Sequence, residues 1–128
     1  MRVAISAKVP NLESEVDPRF GRCRCFLIVD TDTLKFEALA NAGVAASGGA
    51  GIAAAQAVIN QGVQAVITGN LGPNAHQVLS QAGIKVFAGA SGTVRDVIET
   101  YKVTGLKEAS GPTVKAHTGM TAPPRQSS

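Results

Sequence analysis

Tryptophan is absent, tyrosine occurs once, and aromatic residues make up only 4% of the chain. A surface so poor in rings has no platform on which the bases of a single strand could stack. Cysteine is equally scarce. Cys23 and Cys25 are the only two, too close together to bridge each other comfortably and too few for a disulfide framework, so reduced thiols are expected. No apolar run approaches the roughly 18 to 20 residues of a membrane span, and the opening "MRVAISAKVP" is too short for a secretory signal. The expectation is a cytoplasmic protein without a membrane partner. Neither sign of charge is concentrated: twelve Lys and Arg face nine Asp and Glu, a net +3 with no basic run. That balance suits a small anion better than a polynucleotide, and no nucleic-acid partner is expected.

What is present is the material of a folded domain. Hydrophobic residues reach 45% and charged residues 16% of 128 positions, enough for one unit with a sizeable core. "RVAIS" (2 to 6) and "CFLIVD" (25 to 30) are short β-branched runs that predict strands, and "KFEALAN" (35 to 41) predicts a more exposed third. The period then changes. Ile52, Ala55, Val58 and Ile59 mark the inner face of a helix that Gly62 can end, followed by a buried strand at "VQAVIT" (63 to 68). Gly72-Pro73 opens a second helix with Ala75, Val78, Leu79 and Ala82 inward, Gly83 stops it, and "IKVFAG" (84 to 89) predicts another buried strand. Thr93 and Asp96 form a capping box for a third helix with Val94, Val97, Ile98 and Tyr101 buried. Beyond Leu106 the periodicity fades, so the expected division is a domain over residues 1 to 107 and a flexible tail over 108 to 128.

The order β-β-β-α-β-α-β-α predicts an α/β fold in which a meander makes strands one and three parallel, with later right-handed crossovers adding strands parallel to the third. Four loops then share the carboxyl edge of the parallel strands, where open α/β sheets bind ligands. On that edge, Ser47-Gly48-Gly49-Ala50-Gly51 opens onto a helix. Bare backbone and a helix N-terminus together favour an anion, although small residues also serve tight packing. A P-loop is excluded because no Lys-Ser/Thr follows the glycines, and a dinucleotide fingerprint because no acidic residue stands about 20 positions on.

Arg19, Arg22 and Arg24 lie in or beside the loop leaving strand one, where guanidinium forks could hold an oxyanion or a sulfide-rich anion. The plainer alternative is a solvated basic loop anchored by Phe20. Cys23 and Cys25 would face one side of an extended segment and offer two soft thiolates, or else pack as small apolar groups. His76, near the same edge, is the remaining candidate ligand of the folded part or an ordinary surface histidine. His117 and Met120 in the tail are further soft donors.

Together "DPRFGRC", "SGGAGI", "ITGNLGPNA", "AGIKVF", "SGTV" and "GPTVKAHTGM", in order over residues 1 to 120, resemble the dinitrogenase iron-molybdenum cofactor biosynthesis family. The resemblance implies a ribonuclease H-like three-layer fold, with a mixed five-stranded sheet whose second strand is antiparallel and helices on both faces. It implies binding or carriage of an anionic metal–sulfur cluster containing molybdenum, either with copper, as in the orange-protein branch, or as an iron-molybdenum cofactor precursor. A protein partner in cluster delivery would follow. The family's motif positions fall on Gly21, Arg22, Gly48, Gly49, Gly51, Gly69, Asn70, Gly72, Pro73, Asn74 and Ala75. Arg19 stands where many members carry histidine before Phe-Gly, which favours charge pairing over direct ligation there.

The expected cofactor-binding set is therefore Arg19, Gly21, Arg22, Ser47, Gly48, Gly49, Ala50, Gly51, Gly69, Asn70, Gly72 and Asn74, with Cys23, Cys25 and His76 as candidate metal ligands. A non-enzymatic carrier is the leading expectation, and a regulatory or protein-interaction module with a vestigial anion pocket the alternative. Nuclease chemistry is excluded because strand one carries no carboxylate for a catalytic metal.

Overall fold

A computed structural model describes residues 1 to 41 and 49 to 103. Ser47, Gly48, His117, Met120 and the expected domain boundary at 107 lie outside the described residues. Three strands come first, β1 (Arg2–Ala7), β2 (Cys25–Asp30) and β3 (Phe36–Ala40). Helix α1 (Ala50–Ile59), β4 (Ala65–Ile67), α2 (Pro73–Gln81), β5 (Lys85–Phe87) and α3 (Val94–Val103) follow.

The five strands form one mixed sheet in the order β3-β2-β1-β4-β5. β2 runs antiparallel to both β1 and β3, while β4 and β5 run parallel to β1. The tight β2–β3 connection has a local cause: Asp30 Oδ1 accepts the N–H groups of Asp32 at 2.8 Å and Thr33 at 3.3 Å.

Alternation along the strands divides the core between the two faces. Ala4, Phe26, Ile28, Val66 and Val86 pack with Ala54, Ala55 and Val58 of α1 and Ala75 and Leu79 of α2. Val3, Ile5, Leu27, Val29, Ala65, Ile67 and Phe87 pack instead with Val94, Val97 and Ile98 of α3. Each large side chain buried this way contributes on the order of 1.5–3 kcal/mol. β3 is mostly exposed, as its composition predicts.

The long connection between β1 and β2 is more ordered than its sequence suggests. Leu12 and Val16 enter the α3-side core. The carbonyls of Ser14 and Leu12 accept the N–H groups of Val94 and Arg95 at 2.8 and 3.0 Å. With Thr93 Oγ1 accepting Asp96 N–H at 3.1 Å, the N-terminus of α3 is occupied by the protein itself. The connection ends in a single 3-10 turn, Phe20–Arg22, where Phe20 meets Phe26 at a ring-centroid distance of 5.0 Å.

Candidate functional site

Small residues assemble the carboxyl edge of the sheet. Gly69, just past β4, lies so near Pro18 that a Cβ there would sit 2.6 Å from Pro18 Cα. This approach lets Asn70 N–H donate to Pro18 O at 2.7 Å and Phe20 N–H donate to Asn70 O at 3.1 Å. A parallel bridge between Arg19 and Asn70 results. Gly21 repeats the device against α1, since its Cβ would meet Gly51 N at 3.1 Å. Gly51 in turn rests against α2, where an added Cβ would lie 3.3 Å from that of Ala75. The 3-10 turn and the first turns of two helices are thereby held in mutual contact.

Among the described residues neither of those helices has a side-chain cap, and neither carries an acidic residue in its first turn. Their first intrahelical bonds are Ala53 N–H to Gly49 O at 3.0 Å and His76 N–H to Gly72 O at 3.1 Å. The amides of Ala50, Gly51 and Ile52, and of Asn74 and Ala75, precede those bonds. Gly49 caps α1 in the left-handed region, at φ 68°, a conformation glycine adopts freely. The contrast with α3 is informative, because among the described residues only that helix has its leading N–H groups taken up by the fold.

Arg19 and Arg22 flank this edge with exposed side chains, and Arg24 follows, also exposed. Arg19 Nε lies 3.4 Å from Asp17 Oδ1, whereas Arg22 and Arg24 have no ion-pair partner among the described residues. Gly72 and Asn74 lie at the start of α2, with Asn74 exposed, and Ala50 is the buried first residue of α1.

The candidate metal ligands are placed differently from one another. Cys23 belongs to the core on the α1–α2 face and Cys25 to the core on the α3 face. A bend at Arg24, between the two cysteines, interrupts the extended alternation that would have set both thiols on one side. Both are buried. Cys23 Sγ lies 3.4 Å from Phe20 O, and burial, with the nearby Asp17 and Cys25 charges adding to it, pushes its pKa up to about 12. Burial also raises the Cys25 thiol, against the opposing influence of Arg24. His76 is half-buried, its Nδ1 3.5 Å from Ser80 Oγ one turn along the same helix. Among the described residues no three His, Cys, Asp or Glu side chains are grouped to hold a metal ion.

Composition and spacing gave little sign of the polar residues beneath the edge. Buried Asn41 ends β3 and donates from Nδ2 to Gly21 O at 3.2 Å and Cys23 O at 2.9 Å, tying the 3-10 turn down. Ser6, Thr68 and Asp17 form a second buried set, joined by a 2.8 Å contact between Ser6 Oγ and Thr68 Oγ1. The available signal was a polar residue closing each of two apolar strands, Ser6 after "RVAI" and Thr68 after "AVI".

The sequence model of one family, described as dinitrogenase iron-molybdenum cofactor, matches residues 1–104. An uncharacterised protein of Methanocaldococcus jannaschii is 30% identical over 104 residues, covering 79% of this chain and 85% of its own length. Among solved structures, the apo form of the orange protein from Desulfovibrio gigas superposes with a TM-score of 0.85 at 40% identity, covering 88% of this chain and 96% of that one. A NifB-like protein of the DUF35 family from Thermotoga gives a TM-score of 0.72 at 36% identity, covering 84% and 91%. No helix among the described residues is long and apolar enough to cross a membrane.

Proposed function

Because the chain belongs to the dinitrogenase iron-molybdenum cofactor family, which ties it to metal-cluster cofactor binding or biosynthesis, we propose that this ribonuclease H-like domain is a non-enzymatic carrier of an anionic, molybdenum-containing metal–sulfide cluster. The cluster is cargo, and the likeness to the orange protein favours molybdenum with copper over an iron-containing precursor. Handing it to a protein partner in the cytoplasm completes the proposal.

One observation supports the reading above the others. Among the described residues, two neighbouring helix N-termini lack side-chain caps and first-turn acids and sit beside exposed arginines, while the third helix has its amides occupied. Each such terminus favours a negative charge by about 0.3–1 kcal/mol, and guanidinium groups add forked donors. Thin glycine-rich backbone admits a bulky inorganic anion to the N–H groups. Thiolate ligation suits the site less well, since the two thiols are buried in separate cores and Cys23 stays protonated at neutral pH.

Arg19→Ala/Arg22→Ala tests this reading. The variant is expected to stay near the unfolding midpoint of the wild type, because the Arg19 side chain is exposed and the buried Asp17 carboxylate keeps its hydrogen bond from the backbone N–H of residue 19. It should retain less molybdenum after incubation with tetrathiomolybdate and Cu(I), with the deficit widening as salt falls. Equal retention by a normally folded variant would refute the electrostatic pocket and turn attention to Cys23 and Cys25.

A further inference from the structure

The loop after β1 contains a carboxylate that the site described above does not use. The Asp17 side chain is 5% exposed, against 66% for its partner Arg19. Its backbone is pinned on both sides, the N–H donating to Ser6 O at 2.9 Å and the carbonyl accepting from Ser6 Oγ at 2.7 Å. Ser6 Oγ also meets Thr68 Oγ1 at 2.8 Å, so the anchor extends to the end of β4.

From this fixed point Asp17 Oδ1 makes two contacts with the same residue. It accepts Arg19 N–H at 2.9 Å and faces Arg19 Nε at 3.4 Å. The first holds the backbone of Arg19 extended, at φ −114° and ψ 101°, in the conformation that bridges Asn70. The second engages one edge of the guanidinium and leaves its two terminal nitrogens without an ion-pair partner among the described residues. A pair with so exposed a cation adds little to stability, whereas a buried carboxylate is costly to keep. Stability alone is therefore a poor reason for this arrangement.

We infer that Asp17 is a positioning residue that presents the terminal nitrogens of Arg19 to the bound anion, an inference that rests on the anion-carrier reading. Orienting a long side chain in advance spares part of the ordering cost on binding. An acidic residue beside an anion site then has a function in place of a mere repulsion.

The test combines tetrathiomolybdate binding with a measurement on Arg19 itself. Asp17→Ala should weaken binding roughly three- to tenfold, the range of the net contribution of one ordinary hydrogen bond. The double variant Asp17→Ala/Arg19→Ala should bind no more weakly than Arg19→Ala alone, because both changes remove the same contribution. Asp17→Asn keeps an acceptor for Arg19 N–H and should bind better than Asp17→Ala. In ¹⁵N-labelled protein without cargo, the Arg19 Nε–H should exchange slowly in the wild type and faster in Asp17→Ala and Asp17→Asn. Additive losses in the double variant, or equal Nε–H protection with and without the carboxylate, would overturn the inference. Should Asp17→Ala not fold, Asp17→Asn carries the same comparisons. A wild type that binds no tetrathiomolybdate would sink the carrier reading, while the Nε–H exchange still decides whether Asp17 holds Arg19.

Discussion

Replacing Gly69 with alanine adds one methyl group at the closest backbone approach in the site. That methyl would lie 2.6 Å from Pro18 Cα, 2.9 Å from Pro18 Cβ and 3.0 Å from Pro18 O. None of these is a flexible side-chain tip, so the loops themselves must separate. Separation would stretch the 2.7 Å bond from Asn70 N–H to Pro18 O and disturb the 2.8 Å bond from Gly89 N–H to Gly69 O. Overpacking of this kind costs about 1–3 kcal/mol, and the reduced freedom of the unfolded chain returns about 0.4–1 kcal/mol. A net loss of about 1–2 kcal/mol corresponds to a fall in Tm of several degrees. Urea denaturation followed by circular dichroism measures it, with Gly51→Ala as a milder comparison because its added Cβ would meet only a methyl, at 3.3 Å. A Gly69→Ala midpoint at or above that of the wild type would refute the close-approach reasoning.

Other outcomes follow from single contacts. Thr93→Ala removes the acceptor for Asp96 N–H and should lower stability by about 1 kcal/mol in the same urea assay. Asn41→Ala leaves the carbonyls of Gly21 and Cys23 without their amide donor, with an expected loss of about 1–3 kcal/mol and weaker cluster retention. Cys23 has a folded pKa of about 12, raised from an ordinary 9.0, so its contribution is intact below pH about 9 and is lost as pH rises toward 12. Urea midpoints of the wild type should consequently fall more steeply over that window than those of Cys23→Ala. A thiol reagent at neutral pH should label both cysteines only after unfolding, since both are buried.

Periodicity was enough to locate the elements, because each buries a face whose spacing is visible in one dimension. Val3 and Ile5 alternate, as do Leu27 and Val29, while Val94, Val97 and Ile98 recur at helical spacing. The glycines were legible as bare backbone, but the contacts they serve were not. Gly21, Gly51 and Gly69 work in three dimensions, against Gly51, Ala75 and Pro18 in turn. Cys23 and Cys25 show where local reasoning failed. An extended reading puts them on one side, and a bend at the intervening Arg24 accompanies their entry into opposite cores. Asp17 was invisible for a related reason, since its burial depends on Ser6 and on a loop that folds back over the sheet.

The central claim is that this domain holds an anionic molybdenum–sulfide cluster through backbone amides and arginines. Incubation of the purified protein with tetrathiomolybdate, with and without Cu(I), followed by desalting, metal analysis and a visible spectrum, tests that claim most directly. The account predicts molybdenum eluting with the folded protein in a defined ratio, with visible absorption and copper present when it was supplied. Folded protein that elutes colourless and free of molybdenum under both conditions would contradict it.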